Sequence, residues 1–161
     1  MSFTIPVLGH APHDGSFDTP GSAMARGLAV VRSSDTVGKA GAGVVPYGFL
    51  NTEVTTDGPS YEERTHVPEG HFRENKVSEG KVEVITLADG VSYATSGVTK
   101  SGTTFAVGEK VYIAANGELT DDAGASSTHR QIGLVEKINQ TVEDQTDVMV
   151  FQAQMNLGAK A

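Results

Sequence analysis

The sequence predicts an all-β protein: a small antiparallel β-barrel or sandwich of about eight short strands, with an extended N-terminal arm and a long central loop. Three observations carry this. Val occurs 19 times and Thr 16 times, against 7 Leu and 4 Met. β-branched side chains are stiff at χ1 and fit a pleated sheet, whereas Leu and Met favour helices. Glycine, at 19 of 161 residues, exceeds the usual share of about 7% and supplies tight turns. Short apolar runs recur between turn signals at intervals of about 8 to 12 residues, the rhythm of a barrel or sandwich.

Taken in order, residues 1–26 read as the arm. Pro6, Pro12 and Pro20 interrupt any helix or ladder, and Gly9, Gly15 and Gly21 loosen the rest. Its apolar residues Phe3, Ile5, Val7, Leu8 and Phe17 are too scattered for a core, and they are the candidate contacts with a partner's surface. The alternative is a frayed terminus. A barrel-like domain spans 27–152. Leu28–Arg32 and Val44–Leu50 are β-prone runs around a Gly/Ala-rich stretch, and Pro46 puts the second at an edge or bulge. Residues 51–79 are dense in charge, Pro and Gly, and read as a long excursion with turns at Asp57-Gly58-Pro59 and Pro68-Glu69-Gly70. Tyr61, Val67 and Phe72 are its bulky apolar side chains and a second set of candidate partner contacts. Lys81–Leu87, Val91–Thr95, Thr103–Val107, Gly108–Ala115, Gln131–Ile138 and Asp147–Gln152 are the remaining strands. Asn116-Gly117 after the fourth of these predicts a tight type I′ hairpin, because both positions of that turn need φ > 0. Residues 153–161 form a C-terminal tail.

Composition excludes several functions. Asp and Glu number 20 against 12 Lys and Arg, a formal charge of −8, and phosphate binding needs a basic surface, so no nucleic-acid partner is expected. There is no cysteine, hence no disulfide, thiolate zinc site or thiol nucleophile. No apolar run approaches the ~20 residues that cross a bilayer. The start MSFTIPVLGHAPHDG lacks the basic and apolar regions of a signal peptide, which predicts synthesis and use without Sec export and no membrane partner. Leu, Ile, Val and Phe make about 23% of the chain, a little above the ~20% below which disorder is expected. The core is therefore predicted to be thin and helped by oligomerisation.

The chain shows no reactive constellation. His10 and His13 could offer two metal ligands, but Pro12 disfavours the helix that would align them, and a third and fourth ligand are missing. His66 and His71 flank a turn. Asp121-Asp122 and Glu62-Glu63 lack the alternating ligands of a calcium loop and read as charged turns. There is no nucleophile elbow and no P-loop; Gly38–Gly43 lacks the Lys-Ser/Thr ending and the helix. No cofactor, metal or catalytic residue is expected, and the chain is predicted not to be an enzyme.

Two segments echo each other. Gly27-Leu-Ala-Val30 matches Gly108-Glu-Lys-Val111, Ala40-Gly41-Ala42 matches Ala123-Gly124-Ala125, and Tyr47-Gly48-Phe49-Leu50 matches Ile132-Gly133-Leu134-Val135. This is either a true repeat of a hairpin unit or coincidence, which Gly- and Ala-rich sequence makes easier. The second copy, from Gly108-Glu-Lys-Val-Tyr-Ile-Ala-Ala-Asn-Gly-Glu-Leu-Thr through a small-residue loop to Gln131-Ile-Gly-Leu-Val-Glu, resembles a pattern in tailed-phage capsid decoration proteins, also called cement or head-stabilising proteins. The resemblance covers mainly 27–50 and 103–152; the excursion at 51–79 does not take part. It implies a small β-barrel virion protein, made in the host cytoplasm, that binds the outer surface of an assembled head. The implied partners are the major capsid protein and other copies of the chain, a trimer being the form this resemblance suggests. The competing class is a β-sandwich binding or adhesion module recognising a carbohydrate or protein surface. Such sites often present aromatic platforms, and this chain has no Trp and four Tyr.

Overall fold

The computed structural model describes residues 2–55, 76–77, 80–96, 105–124, 128–142 and 145–154. Thirteen strands lie among them: β1 Thr4–Leu8, β2 His13–Asp18, β3 Ala29–Ser33, β4 Thr36–Lys39, β5 Gly48–Leu50, β6 Glu53–Val54, β7 Lys76–Val77, β8 Lys81–Thr86, β9 Ser92–Thr95, β10 Lys110–Ile113, β11 Leu119–Thr120, β12 Arg130–Val142 and β13 Gln145–Ala153. Five close a barrel in the order β2-β4-β3-β5-β8, and six form a sheet in the order β1-β9-β13-β12-β10-β11. The expected all-β class is what the chain adopts.

The sequence echo is structural. Starting from the hairpin, the barrel runs β4-β3-β5-β8-β2 and the sheet runs β11-β10-β12-β13-β9, so each unit places its five strands in the same spatial order. The registers agree as well. Ala29 pairs Phe49 and Val30 pairs Gly48, as Lys110 pairs Leu134 and Val111 pairs Gly133. The Gly27 N–H donates to the Leu50 carbonyl and Gly108 N–H to that of Val135. Leu87 N–H donates to Tyr47 and Gln154 N–H to Ile132 in the same relation. Gly27 and Gly108 both take positive φ, 96° and 88°. The Ala-Gly-Ala segments fall in matching connections, with Ala125 outside the described residues.

Glycine at the equivalent positions Gly48 in β5 and Gly133 in β12 has a steric reason. A Cβ at Gly48 would overlap the Ile85 carbonyl oxygen and sit 2.9 Å from Thr86 Cα. A Cβ at Gly133 would overlap the Gln152 carbonyl oxygen and sit 3.1 Å from Phe151 Cδ2. The neighbouring backbone can approach this closely only because no side chain is there.

Side-chain alternation distributes the core. Val30, Leu50 and Val84 point into the barrel with Phe17, Val37 and Val82. Their chain neighbours Ala29, Phe49 and Ile85 point outward, and pack against Tyr93, Val111, Val135 and Phe151 of the sheet. Strands β3, β5 and β8 are thus buried on both faces where Ala29-Val30, Phe49-Leu50 and Val84-Ile85 fall, which is why apolar residues adjoin there. Phe49, Tyr93 and Phe151 meet at the centre, with ring centroids 5.2 to 6.1 Å apart; Tyr93 and Phe151 stack, and Phe49 is tilted to one and edge-on to the other.

Several expectations need correction. Residues 2–26 are not an extended arm: β1 joins the sheet beside β9, and β2 is a barrel stave paired with β8. The proline and glycine signals were real but local. Pro6 sits in an edge strand followed by a register shift before Leu8, and Gly15 lies within the shift between Asp14 and Phe17. Both are positions where a ladder tolerates such residues. The ends of the excursion belong to the fold, since Glu53–Val54 pair in parallel with Lys76–Val77. Ala153 of the expected tail closes β13. Phe105, Ala106 and Val107, expected in a strand, are irregular. The Asn116-Gly117 hairpin forms, but as a short 3-10 turn over Ala115–Gly117, with Asn116 at φ 64° and Gly117 at φ 76°.

Candidate functional site

The five apolar residues singled out near the N-terminus part company. Phe17 is 2% exposed inside the barrel. Phe3 is 1% exposed and sits with Ala94, Val148 and Val150 on the outer face of the sheet, the side turned away from the barrel. Ile5 is half-buried beside them. Val7 and Leu8 emerge, at 46% and 68% exposure. Tyr61, Val67 and Phe72 lie outside the described residues.

Why β1 is covered at one end and bare at the other follows from the long hairpin β12–β13. β10 accompanies β12 only as far as Leu134, and β9 accompanies β13 only from Met149 onward. Among the described residues, beyond the backbone bonds of Val135 to Gly108 and Glu109, the two strands have only each other as ladder partners there. Register shifts after Val135, Lys137 and Gln140, with Asn139 at φ 53°, bend this ribbon, since bulges bend a strand and raise its twist. Val142 near its tip packs against the cluster of Phe3, Ala94, Val148 and Val150. A two-stranded ribbon is marginal alone, and this contact ties it down. The ribbon covers the start of β1 and leaves the end open.

Between the ribbon and the open end of β1 lies a groove of about 310 Å³. Val7, Leu8, Val142 and Val150 supply its apolar surface, and Lys137, Gln140 and Thr141 its rim. On its floor the Ser92 hydroxyl donates to Glu136 Oε1 at 2.6 Å. The arrangement suits an aliphatic side chain, beside a Ser92–Glu136 pair already engaged with one another. The ribbon's part was not readable beforehand, because Lys137-Ile-Asn-Gln-Thr-Val142 looks polar and only its alternating burial marks it as strand.

The polar candidates hold structural positions. His13 Nδ1 lies 3.0 Å from Glu83 Oε1, which also accepts a hydrogen bond from Asn51 Nδ2 at 2.6 Å, and Arg26 clasps Asn51 Oδ1. The Asp14 carboxyl is held below its ordinary range, first by the Ser16 hydroxyl, then by the Ser16 N–H, with a further bond from Tyr47. Asp122 Oδ1 accepts the Gly124 N–H at 2.8 Å and His129 Nδ1 meets the Asp122 carbonyl at 2.7 Å, closing a turn. Among the described residues no three His, Asp or Glu side chains gather as a metal site, and no helix is long and apolar enough to cross a membrane. His66, His71, Glu62 and Glu63 lie outside the described residues. Compared with known proteins, the chain matches no family model and no curated protein.

Proposed function

We propose that this chain is a non-enzymatic virion structural protein that binds the outer surface of an assembled phage capsid and stabilises it. The observation that carries the proposal is the exposed end of β1, where Val7 and Leu8 border an open apolar groove. Aliphatic side chains left bare beside a groove mark a contact surface more than an isolated exposed residue does. A rigid body with a small apolar contact face suits a protein that acts by occupying a lattice, where many weak contacts add through avidity. The formal charge of −8 favours an exterior position over a DNA-filled interior. The proposed partners are the major capsid protein and further copies of the chain, with a trimer as the form suggested by the resemblance to decoration proteins.

The test is co-sedimentation with undecorated capsids. The wild-type chain should pellet with them. Burying one Leu side chain contributes about 1.5 to 3 kcal/mol, so Leu8→Asp should weaken binding by at least about tenfold while leaving the melting temperature unchanged. A wild-type chain that stays in the supernatant at every salt concentration would sink the capsid reading. Unchanged binding by Val7→Asp and Leu8→Asp would remove the groove from it.

A further inference from the structure

β1 precedes the barrel in sequence yet completes the other sheet. In the first unit, β2 is flanked by its own unit's β4, which closes the barrel through Asp18 and Thr36. Its counterpart β9 has no strand of its own unit on that side; β1 fills the slot. We propose that this slot is exchangeable between molecules, so that Ser2–Leu8 of one copy pairs with β9 of a second copy of the chain.

The groups that hold β1 explain why exchange conserves what it breaks. The Phe3 N–H donates to Ser96 Oγ at 2.7 Å, and Ser96 N–H returns a bond to the Phe3 carbonyl at 3.0 Å. Thr4 Oγ1 donates to the Gly27 carbonyl at 2.7 Å and lies 3.0 Å from Thr95 Oγ1. The Ser2 hydroxyl donates to the Arg26 carbonyl. The Phe3 ring fills the cluster of Ala94, Val148 and Val150. Each of these bonds joins a group of the Ser2–Leu8 segment to one outside it, and the apolar walls around Phe3 lie outside it too, so a second copy offers every partner unchanged. Those same contacts choose the occupant: the slot has buried sites for a Phe-Thr pair in one register, and this chain's own segment carries that pair.

The connector supplies the opportunity. Gly9–Pro12 is all that joins β1 to β2, with Gly9, His10 and Pro12 exposed and Ala11 buried. Short connectors with little slack invite exchange, because the swapped form makes the same contacts with the chain extended. High local concentration on a repeating surface would favour it further.

The absence of cysteine makes a clean experiment possible. The Thr4 and Thr95 side chains touch, at a spacing compatible with a disulfide. Thr4→Cys and Thr95→Cys are made as separate chains of different tag mass, unfolded together, refolded at high concentration and oxidised. Exchange yields a Thr4→Cys/Thr95→Cys heterodimer on non-reducing gels, falling on dilution. The double variant in one chain, oxidised when dilute, should lock within the molecule, showing that the pair can bond. Single variants that stay monomeric while the double variant locks would overturn the proposal. Should the variants fold poorly, light scattering of the unmodified chain decides: exchange requires a dimer fraction that grows with refolding concentration, and a monomer throughout refutes it.

Discussion

Gly48→Ala and Gly133→Ala are the sharpest perturbations, because the two positions are equivalent and the reason for glycine is the same. At each, an added Cβ would overlap a carbonyl oxygen of the adjacent strand, Ile85 or Gln152, and its carbonyl carbon would lie only 2.9 or 3.0 Å away. Backbone of a central strand cannot rotate aside as a side-chain tip can. The strands must separate locally. Overpacking of this kind costs about 1 to 3 kcal/mol, and losing one or two ladder hydrogen bonds adds about 0.5 to 1.5 kcal/mol each. A total near 3 kcal/mol is a large part of the roughly 5 to 15 kcal/mol that stabilises a typical domain. For a chain of this size each kcal/mol moves Tm by about 2 to 4 °C, so each substitution should lower it by about 6 to 12 °C. Gly38→Ala is the control: it lies on β4 with nothing within 4 Å of the added carbon, and should be neutral or stabilising by up to about 1 kcal/mol. Circular-dichroism melts and urea midpoints measure all three. If Gly48→Ala and Gly133→Ala melt within 2 °C of Gly38→Ala, the close approach is not what fixes glycine there.

Three further outcomes follow from the same contacts. Phe3→Ala should cost about 3 to 5 kcal/mol, because the ring is buried among Ala94, Val148 and Val150; a urea midpoint equal to wild type would restore the picture of a free arm. Burial pushes the Tyr93 hydroxyl above its ordinary value, so its contribution is complete below about pH 10 and is lost as pH rises through the higher folded value. Tm should therefore fall above pH 10, and Tyr93→Phe should flatten that fall, leaving a residue from Tyr47 and Tyr112, which burial also raises; an unaltered slope would mean the hydroxyl ionises freely in the folded state. Tyr93→Phe should also lower stability at neutral pH by about 1 to 2 kcal/mol, since that hydroxyl donates to the Thr86 carbonyl and accepts the Ala88 N–H, and a thermal melt unchanged at pH 7 would contradict those bonds.

How much was legible depended on whether the cause was local. The Asn116-Gly117 turn was readable because its demand for positive φ is a property of two residues. The strands at Lys81–Thr86 and Ser92–Thr95 were readable from composition and bounding turns. β1 and β2 were not, because their evidence lies far along the chain. His13 pairs with Ile85 and Ile5 with Ala94, and a segment broken by Pro6, Pro12 and Gly15 gives no local sign of those partners. Half of the candidate contact surface was named for the same reason. Val7 and Leu8 were visible as apolar residues too scattered for a core of their own, whereas Val142 and Val150 reach the groove only through a ribbon whose bend no short window encodes.

The two units share a topology but not a fate, and this difference locates the free surface. Across the first unit a cross-strand row runs Ala29, Phe49, Ile85, His13. Directly opposed residues share a face, and Ala29, Phe49 and Ile85 of this row are buried against the sheet. The equivalent row of the second unit runs Lys110, Leu134, Gln152, Ser92, and Leu8 of β1 extends it by one strand. Among the described residues no third unit covers that row; Ser92 is buried, with its hydroxyl bonded to Glu136, and the rest stays nearer to water. Lys110 is accordingly exposed, and Leu134 and Gln152 are half-buried, which keeps most of the face compatible with water. Leu8, 68% exposed, is the apolar exception at its end. A face that needed only solubility could carry a polar residue there, as it does at Lys110, so Leu8, which this row leaves in water beside the groove, is the side chain on which the proposed contact would act.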